Sequence, residues 1–291
     1  MWVPGVHPQM TASSGCLYFD GAADGRWSVP FATIGGLPIA AIDRTKSAQL
    51  MIDVALARRG TRRPPIIVSS ANGQVVSMCA RQPHIRDLFL NADLIHADGM
   101  PLVFVSRLFG KAPLPERVCT TDLFHDVAAV APQRGARFFF LGATKSVVDA
   151  ATQRIRALYP DLDIAGRSCG YLRREGDEER IIDIINNAAP DILWLGLGVP
   201  NEQSFAMRNR SRLTAVGVIK TSGGLFDFLS GKNARAPAWM RSAGLEWAYR
   251  MYLEPRRLTG RYLKTNPHAL FLLLTRTGLT NIRRLDTMLE E

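Results

Sequence analysis

Short apolar runs alternate along the chain with longer segments in which apolar residues recur every three or four positions. The runs predict buried β-strands, and the 3.6-residue period predicts helices. The predicted strands span residues 66–69, 94–97, 138–142, 192–196 and 216–221. The predicted helices span residues 45–58, 121–131, 145–158, 178–187 and 202–213. This alternation predicts an α/β fold with a mostly parallel sheet and helices on both faces, a Rossmann-like arrangement.

The composition is that of a folded domain, with 291 residues, 47% hydrophobic and 21% charged. It excludes a disordered, collagen-like or coiled-coil chain. The longest apolar stretches, residues 27–42 and 269–274, are interrupted or too short for the roughly 20 residues of a membrane span. The first residues lack the features of a secretory signal, which predicts a cytosolic protein. The four cysteines lack C-x-x-C or zinc spacing, so we expect reduced thiols and no metal site.

Positive charge is concentrated near the C terminus. The net charge is +10, and residues 235–284 contribute +8, from ten Lys and Arg less two Glu. Aromatic and aliphatic residues are interleaved with these arginines, a pattern that suits an anionic membrane surface. Solvated helix faces around an ordinary core, or nucleic-acid binding, are the alternatives. We therefore predict a loosely ordered extension (1–32), an α/β catalytic domain (33–231) and a basic helical appendage (232–291).

Small and polar residues follow each predicted strand, at the edge of the sheet where ligands bind in parallel α/β folds. Glycine there lets a ligand approach the backbone, and the amides that open the next helix bind phosphate. Packing alone also favours glycine in such turns, so the set of five turns is stronger support than any one. The candidate substrate-binding residues in these turns are Ser70, Asn72, Gly142, Gly196, Gly198, Gly223 and Gly224.

Two common nucleotide-binding motifs are missing from the sequence. Asn201 stands where a third glycine would follow Gly196-x-Gly198, and no G-x-x-x-x-G-K-[ST] sequence occurs. A dinucleotide-dependent dehydrogenase and a P-loop ATPase are therefore disfavoured. Asp161 and Asp163 have the D-x-D spacing with which many sugar-nucleotide enzymes bind a divalent ion. Their position in a predicted loop favours solvated acids instead.

Asp98 directly follows the apolar run 94–97 and precedes Gly99. A carboxylate is thus expected at the carboxyl end of a strand beside open backbone, where a general base belongs. An aspartate here equally suits the N-cap of a helix over residues 100–109. Position alone leaves both roles open.

A series of short motifs follows in a distinctive order. They are Ser70-Ala71-Asn72, Ala97-Asp98-Gly99, Ser106-Arg107-Leu108, residues 113–118 with Thr121-Asp122-Leu123, Phe140-Leu141-Gly142, Gly196-Leu197-Gly198-x-Pro200, Gly223-Gly224-x-Phe226-Asp227-Phe228, Arg235-Ala236-Pro237-x-Trp239-Met240, Gly244-Leu245-Glu246-Trp247 and Glu254-Pro255-Arg256-Arg257. In this order they resemble the WecG/TagA/CpsF glycosyltransferases, over residues 66–258. So many ordered matches do not arise by chance.

The resemblance implies an inverting, metal-independent glycosyltransferase without a cofactor. Such enzymes move a sugar from a UDP-sugar to a polyprenyl-diphosphate-linked saccharide of a surface polysaccharide or teichoic acid. N-acetylmannosamine, its uronic acid and glucose are the family's known donor sugars. The resemblance implies that the protein binds peripherally to the anionic inner face of the plasma membrane. It does not imply a nucleic-acid partner. A homo-oligomer would cover an exposed apolar surface equally well. The alternative from another class is a non-catalytic nucleotide- or nucleic-acid-binding protein.

The resemblance also carries two catalytic roles. Asp98 corresponds to the proposed base that takes the proton of the attacking acceptor hydroxyl. We expect Arg117 to stabilise the leaving UDP, because a guanidinium binds two phosphate oxygens at once. A surface ion pair of Arg117 with Glu116 or Asp122 is the alternative.

Further substrate contacts are implied by the same motifs, with some departures from the family. Ser70 and Asn72 match a Thr-Ala-Asn turn at the donor or acceptor sugar, and Asp122 is also predicted to bind substrate. The usual Pro-Lys-Gln-Glu is Pro-Asn-Glu-Gln at residues 200–203, so that either the amide and the acid have exchanged places or the register has moved by one residue, and we assign the contact to Gln203. Thr120 replaces a usual glycine, which predicts a reshaped pocket near Arg117.

The appendage has a counterpart in the family, where it is proposed to bind the membrane and to close over the active site. The residues that we expect at the membrane or on the lipid diphosphate are Arg241, Arg250, Arg256, Arg257, Arg261 and Lys264.

Overall fold

A computed structural model describes residues 29–109, 113–172 and 175–278. The strands are β1 (Phe31–Ile34), β2 (Leu37–Ala40), β3 (Ile66–Ala71), β4 (Leu94–Ala97), β5 (Phe138–Gly142), β6 (Ile164–Ser168), β7 (Ile192–Gly196) and β8 (Val218–Thr221). The helices are α1 (Arg44–Ala57), α2 (Gly73–Arg81), α3 (Pro83–Leu90), α4 (Met100–Phe109), α5 (Thr120–Arg134), α6 (Lys145–Leu158), α7 (Asp177–Ala188), α8 (Asn201–Asn209), α9 (Leu225–Leu229), α10 (Ala238–Ser242), α11 (Glu246–Leu253) and α12 (Pro255–Thr275).

Six of the strands form one parallel sheet, in the order β4-β3-β8-β7-β5-β6. The central strands β5 and β7 are buried along their whole length, because helices cover both of their faces. Met51 of α1 and Phe124 of α5 pack on one face. Ile181 of α7 and Phe205 of α8 pack on the other. The predicted α/β fold with helices on both faces of a parallel sheet is confirmed.

β1 and β2 form a separate antiparallel hairpin that the hydrophobic pattern does not predict. Its turn consists of Gly35 and Gly36, with φ angles of 59° and 83°. Glycine adopts these left-handed angles freely, which is why two-residue hairpin turns favour it. Four-residue strands are too short for an alternating pattern to stand out. Residues 31 and 32, assigned to the extension, belong to this hairpin, and residues 1–28 lie outside the described part.

The pattern also fails to predict β6, at the edge of the sheet. Only Ile164 of this strand is buried, so the strand lacks the continuous apolar run of a central one. Asp161 and Asp163 precede it in a turn, and Asp163 pairs with Arg137 at 3.0 Å. This contact fits the expectation of loop acids.

Buried acids at the amino ends of the strands take part in structural contacts. Asp93 accepts hydrogen bonds from the Ile67 amide (2.7 Å) and from Arg210 (2.8 Å). Asp191 accepts from the Arg137 amide (2.7 Å). These carboxylates are engaged in hydrogen bonds that connect the amino ends of the strands. The candidate catalytic residues therefore lie at the opposite, carboxyl edge of the sheet.

The C-terminal helix α12 packs against the hairpin and α2. Leu272 and Leu273 are buried in the same cluster as Ile34 and Val76. The hydroxyl of Ser77 on α2 lies 2.9 Å from His268 Nδ1. The Gly36 amide donates to the Arg276 carbonyl (3.0 Å) and the Gly278 amide to the Thr33 carbonyl (3.1 Å). One side of α12 is therefore part of the core, and its other side is available for another role.

Candidate active site

The turns after β3 and β4 meet the loop that leads into α5. The Asp98 amide donates to the Ala71 carbonyl (2.8 Å), and the Val118 amide donates to the Ala97 carbonyl (2.8 Å). These main-chain bonds hold Asp98 at the carboxyl end of two adjacent strands. A Cβ on Gly99 would lie 3.4 Å from the Cβ of Asn72, so the two turns touch. The structure thus brings the predicted base next to the predicted sugar-binding turn.

Asp98 lies in an electrostatically mixed environment. Burial of its carboxyl raises its pKa, while the positive charges of Arg117 and Lys220 act in the opposite direction. The negative charge of Glu246 adds to the increase. A carboxylate with a raised pKa is a stronger base than an exposed aspartate. This environment suits a group that accepts a proton from an alcohol.

Arg117 is an interior residue, with 11% of its side chain exposed. Its Nη1 donates to Glu246 Oε2 at 2.9 Å, and its Nη2 lies 3.8 Å from Asp122 Oδ2. Glu116 accepts from the Arg44 amide (2.7 Å). Arg117 thus lies within ion-pair distance of Asp122, as the alternative expected, but its side chain is mostly buried and does not lie on the surface. Glu246, on α11, is a partner that the sequence analysis missed.

Asp122, in the first turn of α5, is surrounded by guanidinium groups. It accepts hydrogen bonds from Arg235 (3.2 Å to Nη2) and from Arg241 (3.5 Å), and it lies 3.8 Å from Arg117 and 3.9 Å from Arg44. Burial acts to raise the pKa of Asp122, but the hydrogen bond and charge of Arg235 outweigh it and lower the pKa. Asp122 thus holds four arginines together, and its own oxygens are engaged by them. We call Arg44, Arg117, Arg235 and Arg241 the arginine cluster.

Ser70 and Asn72 occupy the end of β3 and the start of α2. The Ser70 hydroxyl lies 2.8 Å from Lys220 Nζ and 3.1 Å from the Thr120 hydroxyl. Asn72 Oδ1 accepts from the Val75 amide (3.2 Å) and caps α2. Lys220 is a second residue that the sequence analysis missed. The signal was present, because a lysine inside an apolar strand is unusual.

The predicted glycines divide into two groups. A Cβ on Gly142 would lie 2.4 Å from the Gly196 carbonyl oxygen, and one on Gly196 would lie 2.9 Å from the Phe226 ring. These two glycines are required by the close packing of β5, β7 and α9. Gly198 and Gly223 have φ angles of 78° and 56°, and a Cβ on either would meet nothing within 4 Å. Their backbones are open to a ligand, and Gly224 is nearly as open.

Glu202 joins the turns that contain these open glycines. Its Oε2 accepts from the Gly198 amide (3.2 Å) and from the Gly223 amide (2.8 Å). Burial raises the pKa of Glu202 to about 7. The neighbouring Gln203 is buried and donates to Glu202 Oε1 (3.4 Å) and to the Thr221 hydroxyl (3.3 Å). Glu202, which was not among the predicted residues, therefore shapes both turns, and Gln203 supports it.

We expect Glu202→Gln to stabilise the protein at neutral pH. A glutamine carbonyl can accept both glycine amides, and the neutral side chain avoids the cost of a buried charge. The pKa of Glu202 is raised from 4.5 in the unfolded chain to about 7 in the folded protein. The wild-type protein therefore becomes less stable as pH rises from 4.5 to 7, because the folded state binds more protons than the unfolded state. The free energy of unfolding of the variant relative to wild type should increase by roughly 2–3 kcal/mol from pH 5 to pH 8. Urea unfolding at both pH values measures it, with the exposed Glu175→Gln as control. A pH-independent difference would contradict the prediction.

The basic residues of the appendage occupy different surroundings. Arg241 belongs to the arginine cluster, and Arg250 stacks 5.5 Å from the centre of the Phe228 ring. Arg261 contacts Tyr262, whereas Arg256 and Lys264 are exposed on α12. The predicted contact of Arg257 involves a side chain outside the described part.

Within residues 29–109, 113–172 and 175–278, no three His, Cys, Asp or Glu side chains are grouped so that they could hold a metal ion. Cys79, Cys119 and Cys169 are free thiols, as predicted, and Cys16 lies outside the described part. In the same part of the chain, no helix has the length and apolar character needed to cross a bilayer.

Comparison with known proteins identifies the family. Residues 32–283 match the Glycosyl transferase WecG/TagA/CpsF family. The chain belongs to this family. It is a glycosyltransferase, as the resemblance implied, and the match extends beyond residues 66–258 into the hairpin and α12.

Similar proteins include several with the name N-acetylglucosaminyldiphosphoundecaprenol N-acetyl-beta-D-mannosaminyltransferase. The one from Bacillus spizizenii is 35% identical over 193 residues, 65% of this glycosyltransferase and 72% of the relative. The one from Bacillus subtilis is 32% identical over 207 residues, 71% and 78% of the two chains. One from Staphylococcus aureus is 27% identical over 225 residues, 77% and 86% of the two chains.

Proposed function

We propose that this glycosyltransferase moves a sugar from a UDP-sugar to a polyprenyl-diphosphate-linked saccharide, with inversion and without a metal. The observation that carries the proposal is the placement of Asp98 and Arg117 at the joined ends of β3 and β4. The charge of Arg117 lowers the pKa of Asp98, and the charge of Asp98 raises the pKa of Arg117. The relatives' names specify an N-acetylmannosaminyl group and an N-acetylglucosaminyl-diphosphoundecaprenol acceptor. An acceptor hydroxyl accounts for the base, and a UDP-sugar donor accounts for the phosphate-binding cation beside it.

Asp98 acts as the base in a single displacement. The acceptor hydroxyl attacks the anomeric carbon, its proton passes to the Asp98 carboxylate, and the bond from the anomeric carbon to the UDP oxygen breaks. One displacement at this carbon inverts its configuration. The negative charge that develops on the diphosphate is stabilised by Arg117. A guanidinium has five N–H donors, so the bond to Glu246 leaves enough for two phosphate oxygens.

The substrate contacts are assigned to the turns around these two residues. Ser70 and Asn72 bind the donor or acceptor sugar beside Asp98. Gly198, Gly223 and Gly224 leave room beside their Cα atoms for the nucleotide, while the amides of Gly198 and Gly223 donate to Glu202. Gln203, Gly142, Gly196 and Asp122 contribute by shaping these turns and the arginine cluster.

We further propose that α12 lies on the anionic inner face of the plasma membrane. At about 100° per residue, six exposed charged and apolar side chains of α12 lie within about a third of the helix circumference, on one side of the helix. They are Arg256, Leu263, Lys264, Leu270, Phe271 and Leu274. Apolar residues with flanking cations are typical of helices at a membrane surface. Burial of the opposite side against α2 keeps this stripe outward and brings the lipid-linked acceptor near the site.

We expect the double variant Arg256→Gln, Lys264→Gln to bind anionic vesicles more weakly. Each exposed cation near such a surface contributes about 1 kcal/mol, so the loss of two predicts roughly 30-fold weaker partitioning. Sedimentation with vesicles that contain about 30 mol% phosphatidylglycerol measures the partitioning of each variant. The matched control Arg62→Gln, Arg63→Gln removes equal charge from exposed positions before β3. Equal losses in both variants would contradict a specific role of α12.

The proposed activity is tested by UDP release from a panel of UDP-sugars, with and without a short-chain polyprenyl-diphosphate N-acetylglucosamine, in EDTA. Release from one donor that requires the acceptor, with an inverted anomeric centre in the product, is expected. Transfer only after addition of magnesium or manganese would overturn the metal-independent mechanism. If no UDP is released from any donor, with magnesium or with manganese, the result would contradict this donor and acceptor class.

A further inference from the structure

Lys220 is a buried lysine in the middle of the sheet, close to the proposed site. Its side chain is fully buried, and β8 lies between β3 and β7. Its Nζ donates to the Ser70 hydroxyl oxygen (2.8 Å) and to the Thr221 carbonyl (2.9 Å). Removing an ammonium group from water is costly unless hydrogen bonds and opposite charges compensate. Asp98 and Glu202 supply the negative charge.

The contact with Lys220 determines how Ser70 forms hydrogen bonds. An ammonium group only donates, so the Ser70 oxygen must accept from Nζ. The Ser70 proton is then free to be donated to a third group. The described hydroxyl in reach is that of Thr120 at 3.1 Å, and when it donates to the second lone pair of the Ser70 oxygen, the Ser70 proton remains available for a ligand. Ser70 therefore becomes a donor toward an oxygen of a bound sugar or phosphate.

The charge of Lys220 also acts on Asp98. Burial and Glu246 raise the pKa of Asp98, and the charges of Arg117 and Lys220 lower it. The other titratable groups that face Lys220 are His96 on β4, Cys119 before α5 and Glu202 on α8. Burial keeps the pKa of His96 well below its usual value and raises that of Cys119 to about 12, so both stay neutral near pH 7. Glu202 titrates near pH 7 and has to be controlled for.

We propose that Lys220 is a positioning residue for the transfer reaction, which orients the Ser70 hydroxyl as a donor to substrate and holds the Asp98 carboxylate in its ionised form. The inference rests on the proposed function of Asp98. It extends that function to Lys220, which we place away from the reacting atoms and which acts through Ser70 and Asp98.

The test is the pH dependence of acceptor-dependent transfer in the Glu202→Gln background, which removes the interfering titration. Burial lowers the pKa of Lys220 to about 8 in the wild-type protein, where the charge of Glu202 acts to raise it. Without that charge, and with Lys220 present, the rate should fall as pH rises through a value below 8. Lys220→Met removes the ammonium and retains most of the volume. Its rate at pH 7 should be about 10- to 100-fold lower, its alkaline limb absent and its acid limb at higher pH. The change in KM should follow that of Ser70→Ala, and the double variant should be less than additive.

A conservative variant keeps the test usable if Lys220→Met does not fold. Lys220→Arg retains the charge without titrating, so its acid limb should stay in place while its alkaline limb disappears. Ile219→Val, a buried change on the opposite face of β8, controls for lost stability and should leave both limbs unchanged. A purely structural lysine would lower the amount of active protein without moving either limb.

The outcomes separate the two proposals. Transfer by the wild-type protein with both limbs unchanged in Lys220→Met, or with the alkaline limb retained in Lys220→Arg, would overturn the role of Lys220 alone. Absence of transfer by the wild-type protein would overturn the proposed function and this role with it.

Discussion

Asp98→Asn should abolish sugar transfer while UDP binding stays close to that of the wild-type protein. Asparagine has nearly the same shape, so the main-chain bond to Ala71 and the packing of Gly99 are retained. It cannot accept the proton of the acceptor hydroxyl, and the loss of a general base costs about 10²- to 10⁴-fold in rate. UDP release at saturating substrate and calorimetric titration with UDP give the two measurements.

The paired controls are Asp161→Asn and Asp163→Asn, in the turn before β6. We expect both to retain wild-type rates, because these acids lie away from the carboxyl edge of the sheet. A rate for Asp98→Asn within tenfold of wild type would rule out Asp98 as the base. Loss of UDP binding in that variant would indicate a structural role in its place.

Arg117→Met should lower the rate by about 10²- to 10³-fold and weaken UDP binding, since it removes the cation that we assign to the diphosphate. It should also raise the pKa of Asp98, because the charge of Arg117 lowers it in the wild-type protein. A base is inactive when protonated, so activity is lost as pH falls through this pKa. The acid limb of the variant should therefore lie at higher pH. Transfer rates between pH 4 and pH 9 measure the shift.

Glu246→Gln is the matched comparison for Arg117→Met. It removes the charge of the carboxylate that accepts from Arg117 Nη1 and leaves the guanidinium in place. The charge of Glu246 raises the pKa of Asp98, so this variant should move the acid limb to lower pH. Opposite shifts in the two variants are the expected result. Shifts in the same direction, or none, would show that Arg117 and Glu246 do not act on Asp98 through their charges.

Much of the scaffold was predictable from the sequence. The strands β4, β5 and β7 span the predicted residues, because a continuous apolar run suits only a strand that is buried on both faces. β6 was missed because only Ile164 of this strand is buried, and the hairpin β1–β2 was missed because Thr33 and Pro38 interrupt its short apolar runs. The expectation that chemistry follows the strand ends led to Asp98 and the open glycines.

The contacts that tune the site were not predictable. Lys220 meets Ser70 across 150 positions of sequence, and Glu246 meets Arg117 across 129. Hydrophobic periods describe single elements, and neither pair follows from them. Lys220 reaches Ser70 because β8 inserts beside β3, and Glu246 reaches Arg117 because the start of α11 lies beside the loop before α5.

Glu202 and Gln203 show the same difference between what the sequence predicts and what the tertiary structure decides. The sequence placed both side chains after β7 and favoured Gln203 as the one that contacts substrate. In the structure, Glu202 accepts from the amides of Gly198 and Gly223, and Gln203 lies behind it. The sequence by itself determined the family and the parallel sheet, and it indicated the edge where we propose the chemistry, because these depend on local pattern and ordered motifs. Which charged groups surround Asp98 was decided only by the tertiary structure, because strand order and helix packing bring together residues that are distant in the chain.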